Sequence, residues 1–189
     1  MTDPSRLDRL PPLKAEEQSE AQRAASSTFE AERGSPVFGP FAPLLRSPEL
    51  MLRVQRLGDH CRHRNALGLK LSEFIILLVA RRHGNDVEWA IHAPIAERAG
   101  VAPAVIEAIS VGRRPPLMSG DEALIHDALV ELWAHDGWSD PTYAAVKARF
   151  GEEALIDLVV TASYYALLAN VMNVARTAAP AGPRLAPQD

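Results

Sequence analysis

The sequence holds a single cysteine, Cys61, in 189 residues. An intrachain disulfide, a two-thiol redox pair and a thiolate zinc cluster are all excluded by that count. A basic excess is also missing: 20 Lys and Arg stand against 24 Asp and Glu, for a net charge of −4. Domains that neutralise phosphates carry the opposite sign, which argues against nucleic acid as a partner. Long apolar runs are absent as well. The longest, FIILLVA at residues 74–80, is far short of the ~20 residues of a membrane span. The opening MTDPSRLDRLPPLKAEEQ has no apolar stretch of the signal-peptide kind. The expectation is a cytoplasmic protein with no membrane partner.

Strand patterns are scarce, whereas helix signals recur. Ser47-Pro48-Glu49 places a hydroxyl, a first-turn proline and an acid at one helix start. Ser72 reads as the cap of a second helix, LSEFIILLVARRH, apolar all round and therefore central. Asn85 or Asp86 opens a third that ends at Gly100, with Pro94 predicting a kink or two abutting helices. Pro103 opens a short helix, and Ser119 with Glu122 forms a capping box before ALIHDALVELW. Two last helices run from Asp140 to Phe150 and from Glu152 to about Arg176. The class is all-α, a compact multi-helix bundle.

Three regions are expected. Residues 1–35 read as a polar N-terminal arm or weak helix, because Phe29 is the one large apolar residue between positions 15 and 34. Residues 36–178 carry the helical domain. Residues 179–189, rich in Pro and Ala, read as a flexible tail.

One constellation has the makings of acid/base chemistry. Glu88 and His92 are four apart and share a helix face, with Trp89 beside them. Glu73 starts the most apolar helix, where desolvation raises a carboxyl pKa from about 4.3 toward that of His, near 6.5. Each has a plainer role: Glu73 as a first-turn acid, Glu88 and His92 as a solvated pair, Trp89 as core. A metal-dependent enzyme using Glu73, Glu88 and His92 is an alternative, as is a cluster at His60, Cys61 and His63. A non-catalytic small-molecule-binding helical protein is another.

The stretch LSEFIILLVARRHGNDVEWAIHAPIAERAGVAPAVIEAI, residues 71–109, resembles the carboxymuconolactone decarboxylase / alkyl hydroperoxidase D-like family. An acid-led apolar helix, Glu-Trp-x-x-His and a short helix ending in IEAI carry the likeness. It extends more weakly over residues 39–62 and 162–173. Peroxidase members are similar here but carry Cys-x-x-Cys, where this chain has Asn85 and Glu88, so a thiol peroxidase lacks its nucleophile and its resolving thiol. Glu73 and His92 match the family's acid and imidazole. The resemblance implies the decarboxylase-like branch: a cofactor-independent lyase, without metal, acting on a small carboxylated lactone or related carboxylic acid. In that reading His92 is the proton donor and Glu73 or Glu88 sets its protonation. Arg62, Arg64, Arg81 and Arg82 are candidates for the substrate carboxylate; Arg62, Arg81 and Trp89 form the expected substrate-binding set. A homo-oligomer, trimer or hexamer, is implied too.

Overall fold

Residues 69–82, which contain the longest uninterrupted apolar run, form the central helix. In the computed structural model, which describes residues 8–187, the chain is all-helical, with no strand among the described residues. The helices are α1 (Glu20–Arg33), α2 (Phe41–Leu44), α3 (Pro48–His63), α4 (Leu69–Arg82), α5 (Asp86–Arg98), α6 (Pro103–Ser110), α7 (Gly120–His135) and α8 (Asp140–Ala175). Every residue of α4 from Ser72 to Ala80 is buried, and α3, α5, α6, α7 and α8 all pack on it. A helix apolar all round can only be stable when neighbours cover every side of it.

Helix starts follow local chemistry in most cases. Asn85 caps α5 by accepting from the Glu88 N–H at 2.9 Å, and Ser119 with Glu122 forms the capping box of α7. Ser72 does not cap α4. The helix begins three residues earlier, after Gly68 at φ 79°, and the Ser72 hydroxyl donates back to the Gly68 carbonyl at 2.8 Å. The turn before it is closed by Asn65, whose Oδ1 accepts from the N–H groups of Leu67 and Gly68; that side-chain turn moves the helix start upstream. Asp157 of α8 clasps the same turn, accepting from the Ala66 N–H at 2.7 Å and pairing with His60 at 2.8 Å.

α5 runs through Pro94 as one helix rather than two abutting ones. α8 divides at Gly151, whose φ of 86° and ψ of 174° leave helical space, so residues 140–150 and 152–175 are two helical stretches, as the sequence pattern predicts. Among the described residues only α8 is long and apolar enough to cross a membrane, and 56% of its apolar window is buried within the fold.

Both ends of the chain are more closely engaged than composition suggests. The expected arm contains α1, which packs on α3 and buries Ala25 and Phe29. The Phe29 ring lies 4.8 Å from that of Phe41, so a single large apolar residue suffices because a second phenylalanine from the following turn meets it. The expected flexible tail follows the surface of α5 and α6. Leu185 N–H donates to Asp86 at 2.9 Å, Ala186 N–H to the Ser110 carbonyl at 3.2 Å, and Arg81 to the Ala186 carbonyl at 2.6 Å. Backbone groups in a proline-rich segment have few partners of their own, and these side chains supply them.

Phe29→Ala should therefore lower unfolding stability by about 3–5 kcal/mol, the range for emptying a buried phenylalanine site. Urea denaturation measures it, and a loss below ~1 kcal/mol, typical of a surface site, would show that α1 does not dock in solution.

Candidate active site

Asn85 fixes where α5 begins. Its Oδ1 caps the helix while its Nδ2 donates to Asn173 of α8 at 2.8 Å, and Asn173 in turn donates to the His83 carbonyl. With the start of α5 tied to α8, Glu88 and His92 are aimed at the space between α4, α3 and α8. Glu73 reaches the same space from α4.

The three groups meet. His92 Nδ1–H donates to Glu73 Oε2 at 2.7 Å, and His92 Nε2 lies 3.3 Å from Glu88 Oε2. Glu73 is fully enclosed, while Glu88 and His92 are 3% and 4% exposed. Burial alone would strip the proton from the imidazole. The hydrogen bonds and charges of Glu73 and Glu88 outweigh it and push the His92 pKa up to about 9. The ring is an imidazolium at neutral pH, held between two carboxylates. One oxygen of each carboxylate, Glu73 Oε1 and Glu88 Oε1, has no hydrogen-bond partner.

Tyr165 packs edge-to-face against His92 with ring centroids 5.2 Å apart, and Tyr164 stands at a right angle to Tyr165. Burial raises both phenols, so they stay neutral. Tyr164 lies so close over α3 that a Cβ at Gly58 would sit 2.1 Å from its hydroxyl oxygen. Only glycine leaves room for that approach in the middle of a helix.

A cavity of about 30 Å³ opens beside this group, lined by Glu88, His92, Tyr164, Tyr165, Arg33 and Arg62 among others. It has room for about one water molecule. An outer cleft of about 330 Å³ shares Arg33, Phe38, Gly58 and Arg62 with it and adds Glu32, Gln55, Asp59 and His63. The two spaces are neighbours, and Arg33 and Arg62 line both.

Of the residues expected at the site, Glu73, Glu88, His92 and Arg62 come together. Arg81 does not: it lies eight residues, or about 12 Å, along α4 from Glu73, and donates to the carbonyls of Ser110 and Ala186. Trp89 also faces elsewhere. It follows Glu88 by one position, hence about 100° around the helix, and lines a separate groove with Pro103 and Pro183. Arg64 pairs with Asp59, and Arg82 stacks over Trp133. Arg33, Tyr164 and Tyr165 were missed. In the sequence Arg33 was one basic residue among twenty, and its one signal was the phenylalanine-bearing SPVFGPF that follows Gly34.

The donors do not suit a metal. Glu73 and Glu88 occupy opposite nitrogens of the same ring, so the three side chains do not converge on one point. Among the described residues no group of His, Cys, Asp and Glu has metal-holding geometry. The HCRH cluster is dispersed: His60 pairs with Asp157, His63 lines the outer cleft, and Cys61 is buried, which raises its thiol pKa.

A histidine whose folded pKa lies above its unfolded value stabilises the fold fully below the unfolded value and loses that contribution as pH rises through the folded one. Stability should therefore be level with respect to His92 below pH 6.5 and fall between 6.5 and about 9. Melting temperature against pH measures the slope, and NMR titration of the His92 ring assigns it. A ring that titrates near 6.5 would mean the carboxylates do not flank it. No family model and no curated protein matches the chain, so its function rests on the geometry above.

Proposed function

We propose that this site is a cofactor-independent lyase centre that removes carbon dioxide from a small carboxylated lactone or related carboxylic acid and protonates the carbanion left behind. One observation carries the reading: a buried imidazole within hydrogen-bonding reach of two carboxyl groups, one on each ring nitrogen, beside a cavity that arginines also line. The likeness of residues 71–109 to the carboxymuconolactone decarboxylase / alkyl hydroperoxidase D-like family supports the same reading, as do the cysteine positions now held by Asn85 and Glu88.

The chemistry needs three things. The bond between the ring carbon and the departing carboxylate breaks, and its electron pair passes into the conjugated lactone carbonyl as a dienolate. That step is favoured where the departing carboxylate is poorly solvated, and the cavity of about 30 Å³ beside Glu88 leaves little room for water. Tyr164 and Tyr165 line the same cavity, and in this reading their neutral phenols would donate to the charge that develops on the oxygen. A proton then goes to carbon from the His92–Glu88 pair, and the neutral imidazole regains one from solvent because Glu73, behind it, favours the charged ring. The net change is loss of carbon dioxide and gain of one proton.

Proton NMR of 4-carboxymuconolactone with the purified protein tests this. In deuterated water the product should carry one solvent deuteron at the protonated carbon. His92→Ala should lower the rate by about 10²–10⁴-fold, the usual contribution of a positioned acid. Glu73→Gln should keep the shape and draw the alkaline limb of the pH–rate profile below pH 9, toward the ordinary 6.5 of histidine. Equal turnover in His92→Ala would remove the mechanism.

A further inference from the structure

Two arginines meet at this cleft without an ion-pair partner among the described residues. Arg33, from the last turn of α1, and Arg62, from α3, both line the inner cavity and the outer cleft. They are close enough for Arg62 to pull the Arg33 pKa down, on top of the larger effect of burial. Among the described residues neither has an ion-pair partner. Arg33 rests on the rings of Phe29, Phe38 and Phe41 at 5.7, 5.3 and 5.0 Å, and Arg62 Nε is buried with no hydrogen-bond partner. The acids of the outer cleft are already engaged: Glu32 with Arg56 and Asp59 with Arg64. Like charges drawn together in a half-buried site disfavour one another unless an anion joins them.

We infer that Arg33 and Arg62 form the anchoring subsite for a carboxylate of the substrate, so that the N-terminal helix supplies half of the grip. The inference rests on the cleft being a substrate site, and not on the reaction carried out there. His92 is already flanked by Glu73 and Glu88, so the two guanidiniums are the groups of this cleft left for an anion. Guanidinium forks match the two oxygens of a carboxylate, and the phenylalanines hold Arg33 in place beforehand. At about 330 Å³ the outer cleft suits a small acid.

In a second role, the pair sets orientation. A carboxylate held between the arginines is retained, and a second one on the same molecule is directed inward toward Glu88, where like charge favours its loss. Arg33 and Arg62 are thus positioning residues for the proposed reaction.

Calorimetric titration in chloride-free buffer, with benzoate, benzamide and inorganic phosphate as probes, decides the matter. Benzoate should bind the wild type, and its neutral isostere benzamide should not. Arg33→Gln and Arg62→Gln should each weaken benzoate roughly tenfold or more, as expected for loss of a charged hydrogen bond. Arg33→Lys, which keeps the charge and rests on the same rings, should retain part of the affinity. The exposed Arg53→Gln should change nothing. Benzoate affinity equal in wild type and both glutamine variants would overturn the inference, as would phosphate binding more tightly than benzoate, or no benzoate binding at all. Arginine-dependent benzoate binding in a protein that leaves lactones untouched would keep this subsite and sink the lyase reading. Unimpaired lactone turnover and KM in Arg33→Gln would do the reverse.

Discussion

Everything at the centre of this molecule is arranged around one imidazolium held between two buried carboxylates. Taking an imidazole and two carboxyl groups out of water is costly, and only close pairing offsets it. Here the pairing is incomplete, because Glu73 and Glu88 each keep an oxygen with no partner. An apolar core of the same volume would serve stability at least as well. A charged triad kept under those terms, next to a cavity, is what a proton-handling site requires and a structural core does not.

The surrounding fold makes that triad possible by fixing helix ends. Asn85 sets the start of α5 and fastens it to α8, while Asp157 of α8 accepts from the Ala66 N–H in the turn before α4 and pairs with His60 of α3. α4 and α5 are thereby indexed against the same helix. A shift of one residue in either would turn Glu73 or His92 by about 100° and separate them. The aromatic wall is held equally closely, since Tyr164 occupies space that any side chain at position 58 would fill.

The helical class, the caps at Asn85 and Ser119 and the break before Glu152 were legible in sequence because each is decided within a few residues. So was the shared face of Glu88 and His92. The contact of Glu73 with His92 was legible as a possibility alone, since it joins two helices. Arg81 and Trp89 were assigned to the site from nearness in sequence, and helical geometry turns both away. Arg33, Tyr164 and Tyr165 could not be found that way, because they come from α1 and α8, at opposite ends of the chain. The docking of α1 and of residues 179–187 was not legible for a related reason. Composition measures what a segment can bury by itself, and Phe29 and Leu185 find their partners elsewhere.

Depth gives the site its order. The inner cavity beside His92 has room for about one water molecule, so the body of any substrate must remain in the outer cleft. Arg33 and Arg62 line both spaces, and His92 lines the smaller one. Under the proposed reading, a molecule held at the guanidiniums by its carboxylate would bring only a few atoms to the Glu88–His92 pair. The separation of the arginines from His92 would then select acids whose reactive centre lies a short, fixed distance from a retained carboxylate, with α1 setting one end of that distance through Arg33.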